Sequence, residues 1–190
     1  MSAIEFKAFP KIGRLRRGCI ITEKIDGTNA CVVITEEGEI GAQSRNRVIT
    51  PESDNMGFAK WVQANREDLM ILGPGYHYGE WWGNGIQRTY HLKGLAKRFS
   101  LFNVSRWRNG SQPRPACCEV VPTIYEGEFS NEALEDCLTF LRIKGSLAAP
   151  GFMRPEGVVV YLKGNNSLAK VLLENDEISK TEAIERGIAA

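Results

Sequence analysis

With 190 residues, 43% of them apolar and 25% charged, the chain has the composition of an ordinary globular protein and enough length for one proper core. No apolar run approaches a bilayer span, and the N-terminus lacks a secretory apolar region. The five Cys are odd in number with Cys117 and Cys118 adjacent, which argues against a disulfide framework; the chain is read as cytoplasmic, with no membrane partner. The net charge of +1 says nothing by itself about nucleic acid, but its distribution is uneven: residues 1–114 hold 17 Lys/Arg against 11 Asp/Glu, and residues 115–190 hold 7 against 12.

In chain order, residues 1–17 form a polar lead-in with a basic cluster at Lys11, Arg14, Arg16 and Arg17. Apolar runs predict strands at 18–24 and 29–35 around a tight bend at Asp26-Gly27, where Gly27 is expected to supply a backbone conformation that other residues resist. A turn at 36–39 leads to a short strand at 40–44, closed by Ser44-Arg45-Asn46-Arg47. Phe58, Trp61, Val62, Asn65 and Leu69 recur at helical spacing, so a helix is predicted over 54–70, broken by Gly73-Pro74-Gly75. An aromatic-rich strand at 76–82 carries Glu80. A polar, basic loop follows at 83–98, then strands at 99–104 and 116–121, the latter stopped by Pro122. Leu134, Cys137, Leu138 and Leu141 mark a second amphipathic helix, and strands at 157–162 and 168–173 complete the pattern, with an acidic helical tail after them. Many strands with two helices predict a mixed, mostly antiparallel α+β domain.

Ionisable residues recur at predicted strand ends: Lys24, Arg45, Glu80, Glu156 and Lys170. Lys24, beside a concave turn, is a sensible reactive amine, although Asp-Gly alone is also plain turn chemistry. Lys170, between Ala169 and Val171 in an apolar strand, is read as an inward lysine in need of a partner. No C-x-x-C or His-rich spacing suggests zinc.

The set, taken in order, resembles the covalent nucleotidyltransferases, which are the ATP-dependent polynucleotide ligases and their mRNA-capping relatives. Glu23-Lys24-Ile25-Asp26-Gly27-Thr28-Asn29 is most similar to the RNA ligase 2 branch. Ser44-Arg45, Gly79-Glu80-Trp81-Trp82-Gly83-Asn84-Gly85-Ile86-Gln87, Phe99-Ser100-Leu101-Phe102-Asn103, Glu156-Gly157-Val158-Val159-Val160 and Leu168-Ala169-Lys170-Val171 resemble its later motifs in order, from about residue 10 to 175. Two positions depart. The family's last motif commonly has a second lysine where Leu172 stands, and its Phe-Asp pair is here Phe102-Asn103.

The resemblance implies an adenylation domain of mostly antiparallel sheets with flanking helices around an ATP cleft, spanning 1–175. A short acidic helical tail at 176–190 would stand where the family's ligases carry a C-terminal domain, leaving room for a protein partner in its place. It implies that Lys24 attacks the ATP α-phosphorus, that Lys170 contacts the α-phosphate, and that Glu23 and Phe102 hold the adenine, Phe102 by stacking. Asn29 and Arg45 would contact the nucleotide or the end being joined, Glu80 the ribose hydroxyls, and Gln87 the phosphates or the acceptor. Glu156 would support Mg²⁺ or Mn²⁺. The implied substrates are RNA or DNA ends with a 5′-phosphate and a 3′-hydroxyl. The alternatives are a DNA-end ligase, a capping-type transferase, or a nucleotide- or RNA-binding module without sealing activity. Lys170, Arg45 and the metal are expected as the cations that leave Lys24 a neutral amine.

Overall fold

A computed structural model describes residues 6–9, 16–94, 96–108, 110 and 112–174. The predicted tail at 176–190 and the basic residues Lys11 and Arg14 lie outside the described residues.

The apolar runs become strands of two sheets. Strands β1 (Gly18–Lys24), β8 (Thr123–Glu128), β9 (Gly157–Leu162) and β10 (Ser167–Leu172) form an antiparallel sheet in the order β10-β9-β1-β8. A second sheet runs β4-β3-β2-β5-β6-β7, from β2 (Thr28–Ile34), β3 (Ile40–Ser44), β4 (Val48–Ile49), β5 (Gly75–Gly83), β6 (Lys97–Leu101) and β7 (Cys118–Val120). Only the β6–β7 pairing in it is parallel. The predicted α+β class with antiparallel sheets is therefore the observed one. Among the described residues no helix is long and apolar enough to cross a membrane.

Helix α4 (Asn131–Lys144) is capped by the Ser130 hydroxyl, which accepts from the Ala133 N–H at 3.0 Å, and it ends at Gly145 with φ 75°. Its Cys137, Leu138 and Leu141 pack on Cys19, Ile21, Val158 and Val160, the face of the four-stranded sheet that points away from the second sheet. The six-stranded sheet buries Ala30, Val32, Ile34, Trp81 and Phe99 against Phe58, Ala59 and Val62. The predicted helix over 54–70 is shorter than its periodicity suggests. The Asp54 carboxylate accepts from the Ala59 and Lys60 N–H groups, so 54–57 become a capping loop, and Asn65 interrupts the rest into α1 (Phe58–Ala64) and α2 (Arg66–Leu69). The strand predicted to reach Val104 stops at Leu101. Asn103 accepts from the Arg106 N–H and caps the short helix α3 (Val104–Trp107), which any Asx residue at that position can do. Strand β8 escaped the sequence reading because it is a half-exposed edge strand with two Glu and a Gly.

The bend at Asp26-Gly27 does not close a hairpin. β1 and β2 belong to different sheets, and the turn between them passes from one to the other. Ile25 is driven into a core between the sheets with Ile20, Trp82, Tyr90 and Phe152. Gly27 also works differently from expectation. Its φ is not positive, and what it provides is space: a Cβ there would lie 2.5 Å from the Trp81 carbonyl oxygen and 2.8 Å from the Trp82 Cβ. Gly27→Ala should therefore destabilise the fold by about 1–3 kcal/mol as overpacking, read as a lower midpoint in denaturant unfolding. An unchanged midpoint would mean that the two strands can part here at no cost.

Candidate active site

Strand alternation and register decide which side chains face the gap between the sheets. Across the four-stranded sheet Lys24 pairs with Gly157, which pairs with Leu172, and Thr22 pairs with Val159, which pairs with Lys170. Lys24, Lys170 and Leu172 therefore share the face that also buries Ile20 against the inter-sheet core. On the six-stranded sheet Asn29, Glu80 and Ser100 form one cross-strand row.

The Lys24 ammonium bonds Glu156 Oε2 at 2.5 Å, across 132 residues of sequence. Glu156 is buried, and its position follows from the register, because its neighbour Gly157 is the partner of Lys24. The approach is close: a Cβ on Gly157 would lie 2.2 Å from the Val171 carbonyl oxygen. Glu80, 7% exposed, accepts from the Gly27 N–H at 3.0 Å. Burial pushes its carboxyl up to about 7; the Lys24 ammonium and the Gly27 N–H pull it down, and the Glu156 and Asp26 carboxylates push it further up. Asp26 is held on both sides, its N–H donating to the Tyr90 hydroxyl at 2.6 Å and its Oδ2 accepting from Arg88 Nε at 3.0 Å. The side chain that pairs with Lys24 is a carboxylate, and the Glu80 carboxyl feels its charge as well.

The other predicted residues fall as follows. Lys170 lies on the gap face but is exposed on the edge strand β10, which corrects the expectation of a buried lysine in need of a partner: an edge strand tolerates an apolar sequence with its charge in water. Two strand spacings and two residues put its Cα about 12 Å from that of Lys24, and Leu172, not Lys170, stands in the Lys24 row. Glu23 is not brought to the gap. Its buried carboxylate accepts from the Ser146 hydroxyl at 2.5 Å and from the Leu147 and Ala148 N–H groups at 2.7 and 3.0 Å. It cannot reach a base without releasing that loop. Arg45 and Gln87 are exposed, as is Asn29 at the end of the Glu80 row. Phe102 is 40% exposed, and its N–H donates to the Tyr78 carbonyl. Sequence reasoning gave Arg88 only as part of the basic loop at 83–98, with no role of its own, and missed Tyr90, an aromatic residue in that loop.

Two antiparallel-dominated sheets that meet at a lysine on a sheet-crossing turn, with buried carboxylates from both sheets, define the nucleotidyltransferase fold class. The RNA ligase family model matches residues 17–172, and the chain belongs to that family. A mutant of Naegleria gruberi RNA ligase solved with ATP and Mn aligns at TM-score 0.60 and 21% identity over 83% of this chain and 50% of that one. An apo mutant of the same enzyme aligns at 0.59 and 21% over 82% and 49%, and a further ATP and Mn form at 0.57 and 19% over 90% and 52%. The chain thus spans about half the length of these structures. A search of curated proteins found no match.

The Glu80 environment yields a pH prediction. A carboxyl raised from its ordinary range to about 7 favours the folded state below pH 4.5, and that contribution disappears as pH rises toward 7. Glu80→Gln, which keeps the acceptor for Gly27, should remove this slope and leave the variant more stable than wild type at pH 8 by roughly 2–3 kcal/mol. Chemical denaturation at pH 5 and pH 8 checks it; equal slopes in both proteins would show that Glu80 is not desolvated.

Proposed function

We propose that the chain is an ATP-dependent RNA ligase-type nucleotidyltransferase whose nucleophile is Lys24. The observation that carries the reading is the ion pair of Lys24 with Glu156 on the family-matched fold, with Glu80 buried beside it. Structures of similar fold were solved with ATP and Mn, and here Mg²⁺ or Mn²⁺ is proposed to assist. The residues present fit such an ion. Among the described residues no three metal-ligating side chains cluster, but Mg²⁺ keeps several waters and needs few protein ligands, and Glu156 offers a buried carboxylate beside Lys24. When bound, the ion would supply charge neutralisation at the phosphate oxygens.

In the first step Lys24 Nζ forms a bond to the α-phosphorus of ATP and pyrophosphate leaves, giving a lysyl–AMP phosphoramidate. The ammonium must first shed a proton, and Glu156 Oε2 is the acceptor within hydrogen-bond reach. A 5′-phosphate oxygen then takes the AMP and frees Lys24, and a 3′-hydroxyl displaces AMP to close the phosphodiester. Glu80 is assigned the ribose hydroxyls, Phe102 the adenine face, and Asn29 and Arg45 the nucleotide or the joined end. Gln87 is assigned the phosphates or the acceptor, and Lys170 a phosphate from the rim. Glu23 is assigned support of the 146–148 loop rather than a base contact. RNA ends are the proposed substrate class on the strength of the family. A second reading, nucleotide binding with weakened sealing, is favoured by one observation: Leu172 occupies the Lys24 row where the family motif has its second lysine.

Incubation with labelled ATP and Mn²⁺ should load AMP covalently on the wild-type protein and stop with chelator. Lys24→Ala should abolish loading, and so should Lys24→Arg, because a guanidinium stays protonated. Label retained by either variant would remove Lys24 as nucleophile. Leu172→Lys should speed loading if the phosphate grip is what this chain lacks, and an unchanged rate would weigh against that second reading.

A further inference from the structure

Arg88 lies outside every motif residue given a role above, yet it touches both halves of the reaction centre. Its Nε bonds Asp26 Oδ2 at 3.0 Å, two residues from Lys24. Its Nη1 donates to the Arg154 carbonyl at 2.8 Å and contacts the Pro155 carbonyl at 3.5 Å, immediately before Glu156. One planar guanidinium thus joins the turn that carries the lysine to the loop that delivers its carboxylate partner. A fork of donors in fixed geometry suits this, and an ammonium does not.

The backbone around it is held in an unusual shape. Gln87, Thr89, Tyr90 and His91 all have φ between 45° and 56°, a region that side chains other than glycine avoid. The packing that over-determines this segment is the same that joins it to the site. The Tyr90 ring lies 5.0 Å from Trp82 and 4.6 Å from Phe152, and the His91 ring 5.0 Å from Phe152, on the chain leading to Arg154. The Tyr90 hydroxyl accepts the Asp26 N–H. Burying Tyr90 therefore sets the strained turn, and the turn presents Arg88 to both partners.

We propose that Arg88 is a positioning residue for the adenylylation step: it fixes the Lys24–Glu156 geometry by tying the 25–27 turn to the 152–156 loop, without gripping the nucleotide. This rests on the reading of Lys24 as nucleophile. A displacement of the order of 1 Å at a reacting group lowers rate by about 100-fold, so Arg88→Ala should lower kcat for AMP loading by about that factor. KM for ATP should stay within about twofold. Arg88→Lys should recover only part of the rate, since one ammonium cannot span the carboxylate and both carbonyls.

The experiment measures AMP loading of the full chain against ATP concentration for wild type, Arg88→Ala and Arg88→Lys, alongside thermal unfolding. A separate readout follows the rate of reductive methylation at Lys24 by peptide mass mapping. Loss of kcat with KM kept, and several-fold faster methylation of Lys24 in Arg88→Ala, supports the proposal. Wild-type kcat in either folded variant overturns it, and so does a raised KM with kcat intact, which would make Arg88 a nucleotide ligand. If wild type itself fails to load AMP, the nucleophile reading fails, and the methylation rates still decide on Arg88: equal rates in wild type and variant overturn its positioning role. Should Arg88→Ala not fold, Arg88→Lys carries the same comparison.

Discussion

The contact between the Lys24 ammonium and the Glu156 carboxylate organises this structure. Glu156 is buried, and a buried carboxylate without a partner is strongly destabilising, by about 3–5 kcal/mol when a pair is broken. The pairing of β1 with β9 is therefore more than sheet formation. It sets Lys24 opposite Gly157, and only there does the residue before Gly157 meet the ammonium. A one-residue slip would move Lys24 to the α4 face, which buries Cys137, Leu138 and Leu141, and away from Glu156. The Glu80 carboxyl, from the other sheet, completes a cluster in which negative groups outnumber the lysine. That imbalance suits a site proposed to take a divalent cation with its substrate.

Much of this was legible in the sequence, and the exceptions have physical causes. Apolar runs and bounding turn residues gave β1, β3 and β9 to the residue; β1 and β9 bury apolar runs, whereas β3 buries only Ala42 fully and is delimited by its flanking turns. The α4 stripe was equally plain. β8 was not, since its exposure leaves little hydrophobic signal. The 54–70 periodicity reported which side chains are buried, but not that Asp54 would take the N–H groups of the first turn. No local pattern could report that the strands flanking Asp26-Gly27 part into different sheets, nor that Arg88 reaches Arg154 across 66 residues. Long-range pairing is a property of the whole fold, and single-sequence periodicity carries none of it.

The family departures gain physical content from the register. Asn103 in place of the usual acid keeps a helix-capping acceptor, so that change is conservative for the fold. Leu172 is different. It occupies the Lys24 row and presents a hydrocarbon where a cation would offset phosphate charge, and Lys170 lies one row away on an exposed edge. The proposed α-phosphate grip would then depend on Lys170 swinging inward and on the metal, and both are sensitive to ionic conditions.

The central claim is that Lys24, among all the amines of this chain, is the one whose surroundings equip it to react with a nucleotide. The most direct measurement is peptide-level mass mapping of the wild-type protein after exposure to ATP and Mn²⁺ at limiting time. The account predicts an AMP-sized addition confined to the peptide that contains Lys24. The same addition on Lys170, Lys163 or any other lysine, with the Lys24 peptide unmodified, would contradict it.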